Sequence, residues 1–256
     1  MSETTKIDLH GIELPVARKG KGKPVLLLHG GGGPVINLPF TEKLADRFAF
    51  IEPVHPGFMG TRIPDHFDAI DDLRLLYLDL MDRLDLKDAA VVGFSMGGWV
   101  AAEIAVSTTA RMSKLVLVDA VGIKVGGREE RDVADIFGMS AADAAKLMWH
   151  DPSKAPNPME MPDEALAMMA ANRTALAAYT WQPFMHNPRL RHWLYRIDVP
   201  TLVLWGESDG VVKPAYGQAY AKLIPGARFD VIKGAGHAPQ VEQPAAFADK
   251  LATFLS

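Results

Sequence analysis

The chain reads as an α/β protein built on a mostly parallel sheet with helices on both faces. Three observations carry that reading. Short apolar runs recur along the chain and end in glycine, proline or charge. Stretches with helical spacing lie between them, as expected when strands are covered on both faces. Apolar residues make up 48% of the 256 residues and charged residues 23%, ordinary values for a chain that buries a sizeable core.

The elements follow in order. "KIDLH" and "IELPVARKG" read as two short strands around a glycine-containing turn, and "PVLLLHG" (24–30) as a buried strand ended by glycines. "LPFTEKLADRF" reads as a short helix and "FAFIEPV" (48–54) as the next strand. Ile70, Leu73, Tyr77, Leu80, Met81 and Leu84 keep helical spacing, which predicts an amphipathic helix over 70–86. "AAVVGF" is a strand, 96–108 a helix, and "KLVLVDA" (114–120) the sixth strand. After a long interruption come "VPTLVLWG", a helix over 213–224, the strand "ARFDVIKG" and the closing helix "PAAFADKLATFLS".

The interruption, 121–197, has helical patterns, loops such as "DPSKAPNPMEMP", and seven of the twelve methionines. It is too apolar to be disordered. The expected organisation is a core of 1–120 and 198–256 with a helical cap, 121–197, inserted after the sixth strand. Methionine there fills irregular gaps or lines an adaptable pocket.

Composition excludes several classes. A net charge of −4 gives no general attraction to nucleic acid or anionic membrane. With no cysteine there is no disulfide, thiolate ligand or cysteine nucleophile. "MSETTKIDLHG" has no signal-peptide pattern, and no apolar run approaches the roughly eighteen residues of a membrane span, so a cytoplasmic protein is expected. No metal-ligand spacing occurs. "HGGGG" lacks the Gly-Lys-Ser/Thr of a phosphate loop, and Pro34 spoils a dinucleotide pattern, so no cofactor is expected.

The chemistry centres on "VVGFSMGGWVAAEIA", where Ser95 stands between a buried strand and a helix. A tight strand-to-helix turn lifts the serine hydroxyl clear of the sheet. Gly93 and Gly97 bring no Cβ into that turn, and Gly98 lets the helix approach closely. The helix N-terminus favours a developing oxyanion. A serine needs a base and an orienting acid. "WGESDGVVKP" offers Asp209 and "GAGHAPQVEQP" offers His237, each in a loop after a strand and so on the same rim as Ser95. Asp119, closing "KLVLVDA", is the alternative acid.

"LLLHGGGGP", "GFSMGGWVAA", "LVLWGESDGVV" and "GAGHAPQVEQP", in that order, resemble the landmarks of the α/β-hydrolase fold superfamily across essentially the whole chain. The resemblance implies that Ser95 is the nucleophile, His237 the base and Asp209 the acid. It places the oxyanion hole at the backbone N–H groups of Met96 and Gly31, with Gly32 the neighbouring alternative. It implies hydrolysis of a small carboxylic ester or related acyl bond. The alternatives are a carbon–carbon hydrolase of meta-cleavage-type diketone acids, with Arg173 binding the acid, a cofactor-free perhydrolase, and a small-molecule receptor. Phe94 and Ala238 depart from the carbon–carbon hydrolases, which carry Asn and Trp there. The partner is a small molecule; a homo-oligomer is neither required nor excluded. His29 is expected to fix the glycine loop, and His10, His66, His150 and His192 to be surface or cap residues. Glu207 reads as a solvated loop charge. His55 stands where relatives often have an acid, beside the pocket candidates Phe58 and Met59. Activity should fall on acidification through roughly pH 6 to 7, as a histidine base requires.

Overall fold

A computed structural model of the chain describes residues 2–256. Its sheet has eight strands in the order β1-β2-β4-β3-β5-β6-β7-β8. These are β1 Glu3–Leu9, β2 Ile12–Lys19, β3 Lys23–Leu28, β4 Phe48–Pro53, β5 Ala89–Phe94, β6 Met112–Val118, β7 Thr201–Gly206 and β8 Arg228–Ile232. The first hairpin and the β2–β4 pair are antiparallel, and every later pairing is parallel. The strand reading "AAVVGF" coincides with β5 to the residue.

Strand alternation splits the core in two. Leu26, Leu28, Val91, Leu115 and Leu117 face one side, where helices α2 (Ile70–Arg83), α3 (Met96–Ser107) and α6 (Pro214–Leu223) pack. Val25, Leu27, Val92, Phe94, Val116 and Val118 face the other, under α1 (Pro39–Leu44) and α8 (Pro244–Leu255). α2 buries Ile70, Leu73, Tyr77, Leu80 and Met81 as its spacing predicts, and starts where Asp72 accepts the N–H groups of Asp68 and Ala69. It ends at Arg83, so Leu84 lies just beyond it. α3 is buried from Met96 to Ala105, because it lies between the sheet and the segment that follows β6.

That segment holds α4 (Ala141–Met148), α5 (Asp163–Thr180) and several short 3₁₀ turns. Ala175, Leu176, Tyr179, Met185, Leu190 and Leu194 from it join the first core cluster. Four-residue α7 (Pro239–Glu242) precedes α8 and was not legible as a helix of its own. Among the described residues, no helix is long and apolar enough to cross a membrane.

The strand order places the site. β3 is flanked by β4 on one side and β5 on the other, so the chain reverses direction across the sheet there. Loops leaving β3 and β5 diverge at such a switch point and open a crevice at the carboxyl edge.

Candidate active site

Ser95 sits between β5 and α3 with φ 50° and ψ −113°, a strained backbone for a residue with a side chain. Its N–H donates to the Val118 carbonyl at 2.8 Å, which fixes the turn to β6. A Cβ on Gly97 would collide with the carbonyl oxygens of Leu28 and His29, and one on Gly93 with the Gly97 carbonyl. Only glycine leaves room for the helix to leave the sheet so steeply.

The three distant segments converge. His237 Nε2 lies 3.0 Å from Ser95 Oγ, and His237 Nδ1 lies 2.8 Å from Asp209 Oδ2. Asp209 and His237 keep their expected places on the rim, Asp209 in the loop after β7 and His237 in the loop after β8. Asp209 is buried, and its Oδ1 accepts the Val211 and Val212 N–H groups, each at 2.9 Å. Those bonds leave Oδ2 to the imidazole. The His237 loop is held from two sides: the His237 N–H donates to the Met148 carbonyl at 2.7 Å, and Glu242 Oε1 accepts the Gly236 N–H.

Asp119 makes no hydrogen bond to His237, whose Nδ1 is taken by Asp209. Its Oδ1 accepts the Gly206 N–H at 2.8 Å, and burial together with the charge of Asp209 pushes its carboxyl well above the usual range.

Gly30 to Gly33 form a tight turn, closed by the Gly33 N–H donating to the Gly30 carbonyl. A Cβ on Gly30 would lie 3.1 Å from the Ser95 Cβ, so the turn runs directly beside the serine. Met96 opens α3, and its N–H therefore has no helical acceptor. Leu176 of α5 roofs Gly31, where an added Cβ would meet its methyl group at 2.6 Å.

A buried histidine pair supports this turn from below. His29 Nδ1 bonds the Gly30 carbonyl at 2.8 Å, as expected for a histidine fixing the loop, while His29 Nε2 accepts the His55 N–H at 3.0 Å. His55 Nε2 bonds the His29 carbonyl, and His55 Nδ1 bonds the Tyr77 hydroxyl. His29 accepts at Nε2 while donating through Nδ1, which requires its ring to be neutral, and His55 donates through Nε2 with Nδ1 facing the Tyr77 hydroxyl. Burial drives His29 down to about 4 and His55 well below the ordinary value. Phe58 is fully buried against both rings rather than free to line a pocket, whereas Met59 is exposed.

Sequence reasoning missed Glu52. Its carboxyl accepts the Val35 and Ile36 N–H groups and so anchors the far end of the glycine turn. Burial raises it to about 8 against the pull of those bonds. The available signal was a lone charge inside the apolar strand "FAFIEPV". Asn172 of α5 was also missed; it accepts the Met59 N–H at 2.8 Å and reaches the Gly32 carbonyl at 3.4 Å. Arg173 is exposed, its guanidinium on the Ile136 carbonyl and over the Phe137 ring. His10, His66, His150 and His192 are exposed, as is Glu207, which accepts the Gly234 N–H.

The chain matches the Alpha/beta hydrolase family over residues 25–250. It is similar to the 2-hydroxy-6-oxo-6-(2'-aminophenyl)hexa-2,4-dienoic acid hydrolase of Metapseudomonas resinovorans, at 28% identity over 98% of this chain and 90% of that one. Among solved structures it is similar to a thermophilic esterase from Thermogutta terrifontis, 25% identical with a TM-score of 0.76, covering 99% and 98% of the two chains. It shares its fold with the meta-cleavage product hydrolase from Pseudomonas fluorescens IP01, 22% identical with a TM-score of 0.78, covering 98% and 96%. With fold, landmark order and family match spanning most of its length, the chain belongs to the alpha/beta hydrolase family.

Proposed function

We propose that the protein is a serine hydrolase that cleaves a small carboxylic ester or a related acyl bond. The observation that carries this reading is the unbroken chain Asp209–His237–Ser95, ending on a serine held at positive φ. Ser95 Oγ attacks the acyl carbonyl while His237 Nε2 takes its proton. Asp209 keeps the proton of the neutral ring on Nδ1 and stabilises the imidazolium that forms. The oxyanion develops toward the N–H groups of Met96 and Gly31. His237 then returns the proton to the leaving alkoxide, and water, activated by the same ring, releases the acid.

The test is multiple-turnover release of p-nitrophenol from short-chain esters, together with labelling by a fluorophosphonate. Ser95→Ala is expected to abolish both. Ester turnover unaffected by that substitution would overturn the assignment.

A carbon–carbon hydrolase is the second reading, favoured by the likeness to the Metapseudomonas enzyme. Two features of this chain weigh against it: Arg173 is committed to Ile136 and Phe137, and Ala238 follows the histidine. Cleavage of a vinylogous diketone acid without cleavage of simple esters would favour this second reading.

A further inference from the structure

We propose that Asp119 holds a proton at neutral pH and donates it in a hydrogen bond to the Asp209 carboxylate, acting as a positioning residue for the triad acid. The inference rests on the reading of Asp209 as that acid.

Asp119 follows β6 at φ 44°, and its N–H donates to the Leu204 carbonyl of β7 at 3.1 Å. That turn sends the side chain across the end of β7, where Oδ1 takes the Gly206 N–H. The residue is 1% exposed, and its Oδ2 is buried with no donor facing it. The Asp209 loop starts from the same residue: the Gly206 N–H is taken by Asp119, and the Gly206 carbonyl accepts the Asp209 N–H at 3.3 Å, so the Asp209 carboxyl is the acid next to that orphaned oxygen. Two carboxylates cannot face each other in a dry site, so one proton must lie between them.

The donors decide which residue holds it. Asp209 already receives two backbone N–H groups and the His237 imidazole, whereas Asp119 receives one N–H. Negative charge is better solvated on Asp209, which leaves the proton on Asp119 Oδ2. The ionisable groups acting on Asp119 are Asp209 and Glu242, both acidic, and His237 contacts Asp209 instead. With Oδ2–H as donor, the orphaned oxygen gains a partner and Asp209 gains a fourth hydrogen bond. No proton leaves Asp119 during turnover.

Asp119→Asn tests this, because its amide can donate where the acid would. In the unfolded chain Asp119 ionises above about pH 4, so folding of the wild type takes up one proton that the variant does not need. From pH 5 to 7 the wild-type unfolding equilibrium should therefore rise about tenfold per pH unit relative to Asp119→Asn, measured by urea unfolding. A ratio that stays constant with pH overturns the proposal. If Asp119→Asn does not fold, Asp119→Ser supplies the same comparison. In catalysis, Asp119→Leu should lower kcat on the order of tenfold, and Asp119→Asn should recover most of that loss. The acid limb of kcat/KM should keep its midpoint in Asp119→Asn. A midpoint lowered by about one unit or more would mean that an ionised carboxylate had been removed, and would also overturn the proposal. If the wild type hydrolyses no ester, the functional reading fails while the unfolding comparison still decides where the proton lies.

Discussion

Ser95 owes its backbone angle to neighbours that lack side chains. A methyl group on Gly97 would meet two carbonyl oxygens of the β3 strand end and loop, neither of which can move without breaking the sheet. Gly97→Ala is therefore expected to destabilise the fold by more than about 3 kcal/mol in urea unfolding. Asp209→Asn should leave folding intact but lower kcat by about four orders of magnitude, since an amide favours the wrong histidine tautomer. Ester hydrolysis kinetics would show it, and a larger loss in Asp119→Asn would contradict the geometry. The histidine pair makes a different prediction. Protonating His29 at Nε2 would set that N–H against the His55 N–H. Its folded value of about 4 lies below the ordinary 6.5, so the stabilisation from neutral His29 is present above pH 6.5 and lost as pH falls toward 4. Relative to His29→Asn, the wild type should lose about 3 kcal/mol over that window in urea unfolding. Nothing in "VHPGFMGT" indicated that His55 would pair with Tyr77, because the partner lies one helix further along the chain.

At the scale of elements, the segment between β6 and β7 grips the Asp209 and His237 loops from above. The end of α4 supplies the Met148 carbonyl to His237, and the Leu147 carbonyl accepts the Gly210 N–H beside Asp209. Further along, α5 sets Leu176 over Gly31 and hydrogen-bonds the 55–60 loop through Asn172 and Tyr179. Asn172→Ala should loosen α5 over the glycine turn, raising KM for esters several-fold while changing kcat less, as steady-state kinetics would reveal. Strands were the most legible elements, since a buried parallel strand is a short apolar run with abrupt ends. α5 was less so: "DEALAMMAANRTALAAYT" spreads alanine and methionine around the helix and gives no clear apolar stripe. Asn172 and Leu176 therefore stood out from nothing in the sequence.

For the whole molecule, the two core layers and the 121–197 segment behave as one packed body. Residues of α5 and of the 185–194 stretch belong to the same apolar cluster as α2, α3 and the sheet. Buried polar ties reinforce this: Glu103 of α3 accepts from Trp99 and Asn187, and the Tyr216 hydroxyl bonds both the N–H and the carbonyl of Ile123. Urea unfolding should accordingly show a single transition, with tryptophan fluorescence and far-UV circular dichroism coincident. Trp181 and Trp193 report on the inserted segment and Trp99 and Trp205 on the core, so separate unfolding of the segment would split the two curves.

The sequence by itself determined the α/β class, the strand-to-helix turn at Ser95 and the order in which serine, acid and histidine appear. Those features are local: a periodicity, a turn that tolerates only glycine, a charge at a strand end. Only the tertiary structure decided that His237 meets Asp209 rather than Asp119, that His55 is a buried support, and that Leu176 closes over Gly31. Ser95 and His237 stand 142 residues apart, and a hydrogen bond between them depends on ångström-level placement of loops by distant packing. No run of neighbouring residues encodes that distance, because the whole sheet sets it.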